Sequence, residues 1–407
     1  MRKKSSAWLV IICAVSGAVA VAIAQNKVLP CMDVIQDSFH IDMASAGWLS
    51  SVFSVMGIVM AFPAVMTVNK LGAKASCLIS VGCSILGAAI GLISRSFLLI
   101  LFSRVIEGVG AGLISIAVPN LIAMWFPPES RGLPTGIWTS WQYVGQSVCF
   151  FFGALISAET GWKGVWVFSL LIAAICFVLN VIFVRAPEHG ENRAVDCSDS
   201  AFSAFGNKNA WLVSISIFCF CFASFGFITW AAACWTETLG MDGTKANHYI
   251  SLFAAISLPM VLLTGWILDR VNRKIFGIIV FIFYAFAVAG AFVLPSPGWV
   301  VVFVMLYPFF ESGVITALWT IISQVAGSSS EVNSAVALLT LSSNIGMLVG
   351  PPMAGLCIST FGWTAAALLV GGVSMAGAAC IMLVKTDEHH PISSPTDDGA
   401  GIPRAAP

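Results

Sequence analysis

Gly265-Trp266-Ile267-Leu268-Asp269-Arg270-Val271-Asn272-Arg273-Lys274 is a short polar turn between two apolar runs, near 247–268 and 274–294. One acid and three basic residues crowd into its second half. A helix crosses a bilayer with about 20 mainly apolar residues. The segment therefore reads as a tight hairpin between two membrane helices, held by its charges at one membrane face. The stretch Thr67-Val68-Asn69-Lys70-Leu71-Gly72-Ala73-Lys74, at an offset of 200, repeats the pattern with Asn69 for the acid and Lys70 for the arginine.

Composition extends this reading to the whole chain. Of 407 residues, 58% are hydrophobic and 9% are charged, against about 25% charged in soluble domains. No soluble core of this length can hide so much apolar surface, so lipid is the solvent for most of the chain. The net charge is zero and no dense basic run occurs, which excludes a nucleic-acid partner. The twelve cysteines are scattered through apolar stretches without a CxxC pair, so neither a zinc site nor a disulfide framework is expected. Arg2-Lys3-Lys4 before an apolar run imitates a signal peptide, but the run to Ala24 is long and further spans follow. An uncleaved first span is expected.

Twelve apolar windows emerge: near 7–29, 44–67, 74–94, 97–125, 134–157 and 163–184, then 210–235, 247–268, 274–294, 298–325, 332–358 and 363–384. The expected fold is an all-α polytopic membrane protein with two pseudo-symmetric six-helix bundles, 1–184 and 210–384. A charged cytoplasmic linker spans 185–209, and the polar tail 385–407 is expected to be disordered. Fourteen Lys and Arg residues fall on the side of both termini and three on the other, with Lys27 and Arg104 within or beside spans. The positive-inside rule then places both termini and the linker in the cytoplasm of a multi-pass inner-membrane protein. The halves echo each other: Gly161-Trp162 and Gly362-Trp363, Glu107 and Glu311, and Glu129 and Glu331 recur at offsets of 201, 204 and 202. Parallel repeats of this kind put a substrate site between the halves, near the midplane.

The turn at Gly265–Lys274 resembles the G-x-x-x-D-R-x-G-R-R loop of the major facilitator superfamily, with Asn272 where the second glycine is usual. Arg104-Val105-Ile106-Glu107-Gly108-Val109-Gly110-Ala111-Gly112 resembles that family's span 4 pattern, and Pro128-Glu129-Ser130-Arg131-Gly132 its next loop. The stretch 131–138 is similar to bacterial small-anion porters of the cyanate-permease type. The resemblance covers 7–385 and implies a monomeric secondary transporter working by alternating access. It also implies a cytoplasmic latch built from Gly72, Lys70, Gly265, Asp269, Arg270, Arg273, Lys274 and Arg131, with Asp269 near Arg131 when the protein opens outward. The alternatives are a drug–proton efflux antiporter of the same family, against which the missing span 5 glycine-proline motif counts, and a polytopic sensor or lipid-modifying enzyme.

Charges inside spans are costly and usually functional. Arg104 and Lys27 are the only basic candidates for contact with a solute, which favours an anionic or zwitterionic substrate; otherwise Arg104 pairs with Glu107 along its helix and Lys27 snorkels. Glu311 has no basic neighbour within a turn, so desolvation favours its protonated form and it becomes the candidate proton-coupling group, ahead of Glu107. A permanent bond to Ser343 or Asn344 is the structural alternative. Trp138, Trp141, Gln142, Gly145, Gln146 and Cys149 share one face of span 5, and Ser312, Thr316, Trp319, Thr320 and Ser323 one face of span 10. Such stripes suit a solute cavity, which Trp230 and Asn344 complete. Gly350-Pro351-Pro352 is expected to interrupt span 11. No phosphate loop or HExxH occurs, so neither ATP, a metal nor another cofactor is expected, and the protein is not an enzyme.

Overall fold

A computed structural model describes residues 2–127, 130–185, 206–325 and 329–385. They form thirteen α-helices and one short 3-10 turn. In the first half these are α1 (Arg2–Asn26), the turn Leu29–Cys31, α2 (Met32–Phe39), α3 (Met43–Val59), α4 (Ala61–Ile93), α5 (Phe97–Trp125), α6 (Gly132–Thr139) and α7 (Trp141–Phe183). The second half holds α8 (Lys208–Leu239), α9 (Gly243–Leu268), α10 (Arg273–Gly290), α11 (Pro297–Gln324), α12 (Ser329–Phe361) and α13 (Trp363–Leu383). Ten segments are long and apolar enough to cross a membrane, and Met43–Val59 is a shorter apolar helix. One of the ten, Leu133–Phe183, contains two of the expected spans, turned at Gly161. The linker after Arg185, the tail after Lys385 and Glu129 lie outside the described residues.

Glycine makes the sharp turns. Gly72, Gly161 and Gly362 have φ of 82°, 70° and 82°, a region open to glycine and strained for other residues. The repeated Gly-Trp pair is thus the same turn in each half. A second echo was not read from the sequence. His40 (φ 52°) and Gly240 (φ 64°) end α2 and α8 in the left-handed region, and two residues later Asp42 and Asp242 cap α3 and α9 by accepting from Ser45 N and Lys245 N at 3.1 and 3.0 Å. Asn272 caps α10 by accepting from Lys274 N and Ile275 N at 3.1 Å, which explains why an asparagine stands where the family pattern has glycine.

Within the first half α1 packs on α5 and α7, and α4 on α5 and α7; within the second, α8 packs on α12 and α13, and α10 on α11 and α13. The halves meet through α3 against α12 and α7 against α9. Trp8 meets Phe126 edge to face, Trp125 Nε1 donates to Arg185 O, and Asn209 bonds Lys385. The start of α1 and the end of α13 therefore share one face, here called the terminus face.

Two expectations are corrected. Helix α12 runs unbroken through Pro351 and Pro352. The carbonyl of Pro351 accepts from Trp230 Nε1 at 3.0 Å, and burial among neighbouring helices lets a membrane helix carry prolines. Trp230 does not complete the cavity: like its neighbour Trp235, whose Nε1 donates to Ala291 O at 3.1 Å, it is buried away from it.

Candidate functional site

A cavity of about 980 Å³ lies between the halves. Gln25, Gln142, Gln146 and Tyr143 line it from the first half, and Ser224, Glu311 and Asn344 from the second. The far face is shut. A Cβ on Gly47 would stand 2.9 Å from the Pro351 backbone, and one on Gly355 2.7 Å from Met43 O, so only glycine lets α3 and α12 approach this closely. Ser147 and Ser251 exchange hydroxyl-to-carbonyl bonds between α7 and α9 at 3.1 and 2.8 Å, and Phe151 stacks on His248 at 4.7 Å. On α3–α4 and α12 the lining residues continue past Gly57 and Asn344 toward the terminus face. The cavity is therefore approached from that face.

Gln142, Gln146, Glu311 and Asn344 are brought together at the cavity as expected from their positions. Gln142 Nε2 donates to Gln25 Oε1 at 3.1 Å, so the amides form a linked cluster. Gln25 and Asn26 were missed as lining groups, although a polar break in the apolar first span was the available signal. Trp141 also lines the cavity, with Trp138 stacked on it at 5.3 Å, whereas Gly145 and Cys149 pack on α1. In span 10 Thr316 donates to Ser312 O at 2.6 Å and meets Thr264 of α9, and Trp319 is 41% exposed. Of that stripe Thr316 touches a neighbouring helix, and Ser312, Thr316, Trp319 and Thr320 do not line the cavity.

Arg104 and Lys27 do not line it either. Both are fully buried, and both pair with Glu107, itself fully buried. The snorkelling reading of Lys27 is overturned, because its ammonium points inward and stands 4.6 Å over the Trp166 ring. The sequence pattern accounts for this knot. Helix α1 stops at Asn26, which leaves carbonyls of its last turn without intrahelical donors. Arg104 supplies those donors, from Nη1 to Ala24 O at 2.5 Å and from Nη2 to Gln25 O at 2.7 Å, while Nε donates to Leu49 O at 3.1 Å. A guanidinium at the negative end of a helix also gains from the dipole. Glu107 packs so closely against Gly87 that a side chain there would overlap it.

Glu311 has a different environment. It is half-buried in the wall, and Ser224 Oγ donates to its Oε1 at 2.8 Å. This partner is not the Ser343 or Asn344 considered from the sequence; Ser343 and Asn344 each bond Thr340 O. No cation pairs with Glu311 among the described residues.

The latch residues lie at the terminus face. Arg131 donates to Phe126 O and Ala123 O within its own half, at 2.9 and 2.8 Å. Arg270 covers the Trp266 ring at 3.8 Å, and Lys74 donates to Val181 O at 3.3 Å. Asp269 and Lys70 are exposed, Arg273 and Lys274 are half-exposed, and none forms an ion pair among the described residues. A Cβ on Gly265 would meet nothing within 4 Å, so no other segment presses on the turn there with the cavity facing this side.

Two helical halves around a central cavity, shut at one face by glycine-mediated contacts, define a polytopic membrane transporter. The family model of the Major Facilitator Superfamily matches residues 14–331 and 309–405, and the chain belongs to that superfamily. It is 22% identical over 390 residues to the hexuronate transporter of Bacillus subtilis (strain 168), covering 88% of this chain and 92% of that one. A 146-residue stretch is 25% identical to the quinolone resistance protein NorB of Staphylococcus aureus, covering 36% of this chain and 32% of that one. Among solved structures, a bacterial homolog of the human lysosomal transporter Spinster, inward-facing and occupied, superposes with a TM-score of 0.73 at 16% identity, covering 92% of this chain and 93% of that one. Its unoccupied form gives 0.72 at 17%, covering 93% and 94%.

Proposed function

We infer that this protein is a proton-coupled symporter of a small organic anion, acting as a monomer in the cytoplasmic membrane with both termini in the cytoplasm. The observation that carries the reading is the contrast in charge across the cavity. Lys27, Arg104 and Glu107 sum to one excess positive charge, one layer behind Gln25 and Asn26. A unit charge about 8 Å from an anion contributes roughly 2 kcal/mol at an effective dielectric of about 20. Opposite, Glu311 is a lone carboxyl. Ionised, it repels an entering anion; protonated, it admits one. Solute and proton therefore bind together, which is the linkage that symport requires. The amides of Gln25, Gln142, Gln146 and Asn344 suit hydroxyl and carboxylate oxygens. The hexuronate transporter, named for a sugar acid and matched nearly end to end, supports this solute class, whereas the NorB match covers about a third of either chain.

The test is uptake by proteoliposomes, alkaline inside, of labelled hexuronates and simpler carboxylates. Accumulation that a protonophore collapses is expected for at least one of them. Failure with every organic anion, together with pH-driven movement of a fluoroquinolone, would move the protein to the drug antiporters.

A further inference from the structure

Resting on the reading of Glu311 as the coupling carboxyl, a second question is what serves its other oxygen. Ser224 satisfies Oε1, but Oε2 is buried without a hydrogen-bond partner. A native protein rarely leaves a buried polar atom so placed without a reason. One helical turn earlier on α11 stands Tyr307, only 1% exposed, whose buried hydroxyl has Tyr284 and Ser224 for polar neighbours but completes a well-aligned hydrogen bond to neither. Its ring is clamped by Phe303 at 4.7 Å, Phe253 at 5.3 Å, Tyr284 at 5.6 Å and Phe227 at 5.7 Å between centroids. The clamp fixes where the hydroxyl sits, in the electrostatic reach of Glu311 and beside Tyr284 and Ser224. Positions four apart on a helix lie on one face.

We propose that Tyr307 is the positioning residue for the coupling proton, serving Glu311 Oε2 with at most one water between them. A hydroxyl can accept or donate. When Glu311 is protonated, its Oε2–H donates toward the Tyr307 oxygen. When that proton leaves to water in the cavity, the carboxylate gains one negative charge and the tyrosine O–H turns to donate to it; the tyrosine keeps its own proton throughout. Ser224 donates to Oε1 in both states. The carboxyl can thus change charge without either form being stranded. The titratable groups facing Glu311 are Tyr143 from α7, Cys221 from α8, Tyr284 from α10 and Tyr307 from its own helix, with no cation among them.

The experiment is pH-difference infrared spectroscopy of the full chain in lipid nanodiscs, which needs no substrate. The protonated Glu311 carboxyl is the C=O band absent from Glu311→Gln. Hydrogen bonds to a charged group are about twice as strong as those to a neutral one. Tyr307→Phe should therefore move the midpoint of that band upward by about 0.7 pH units, roughly fivefold in the proton equilibrium, and raise its frequency. In the unmutated protein a tyrosine C–O band should change at the same midpoint and vanish in Tyr307→Phe. A carboxyl band that titrates alike in both proteins would overturn the role of Tyr307 and leave Glu311 as the coupling group. If Tyr307→Phe does not fold, a tyrosine band in the unmutated protein that ignores the carboxyl midpoint overturns it equally. No titrating Glu311 band at all would overturn the reading of Glu311 itself.

Discussion

Glu107 and Glu311 occupy matching places in the two halves, on α5 and α11, yet their surroundings are opposites. Glu107 sits between Lys27 and Arg104 with every group fully buried. At the matching place in the second half, three residues before Glu311, where Arg104 stands relative to Glu107, the residue is Pro308. Glu311 has one serine and an open cavity. A carboxylate locked between two cations serves as their counter-charge, and its removal would strand charge in a dry interior. A carboxyl with one neutral partner is free to change. On the proposed reading, one copy of the repeat has become scaffold and the other switch.

The largest effect expected from this contrast is on stability. Glu107→Gln leaves Lys27 and Arg104 buried without their counter-charge and should lose about 3–5 kcal/mol. Glu311→Gln, which replaces a carboxyl by its neutral isostere, should stay within about 1 kcal/mol of the unmutated protein. Denaturation midpoints of the two variants, measured together, read the difference; equal losses would erase the distinction between scaffold and switch.

A smaller effect probes the closed face. Gly355→Ala puts a methyl against Met43 O and the Trp230 ring, an overpacking worth roughly 1–3 kcal/mol against the closed arrangement. Labelling of a cysteine placed at Trp48 or Ser50 should become faster from the far side. Unchanged labelling would mean that the halves do not part there.

The smallest concerns the helix starts that the halves share. Asp42→Ala and Asp242→Ala should each lose about 1 kcal/mol as caps. Hydrogen bonding from Ser45 holds the Asp42 carboxyl below its ordinary value. A carboxyl lowered on folding contributes above its unfolded value, about 3.9, and that contribution fades as pH falls through the lowered one. The Asp42→Ala deficit in thermal midpoint should therefore be full at neutral pH and shrink in acid. A deficit independent of pH would assign the loss to helix propensity alone.

The fold was largely legible in the sequence. Composition demanded lipid, the charged turn at Asp269–Lys274 fixed a hairpin, and the repeated Gly-Trp pair marked equivalent turns because glycine alone tolerates that backbone. The site was half legible. Gln142, Gln146, Asn344 and Glu311 were found because polar groups in apolar helices need a cavity or a partner. The Arg104–Glu107 pair was legible from its spacing of three and is formed, but the rest of the knot was not: Lys27 meets Glu107 across 80 positions, and Arg104 also serves carbonyls left without intrahelical donors because α1 ends at Asn26. Ser224 left no trace, since a serine in a membrane helix more often bonds its own helix, as Ser374 does to Val370 O.

The most direct test of the central claim compares two modes of transport in Glu311→Gln proteoliposomes, using whichever hexuronate or carboxylate the unmutated protein accumulates. Glutamine mimics the protonated carboxyl permanently. Exchange of labelled for unlabelled solute should persist at a rate within about tenfold of the unmutated protein, a change of about 1.4 kcal/mol in barrier, while accumulation driven by the pH gradient should vanish. Accumulation that survives the substitution would contradict the account and move proton coupling to another group.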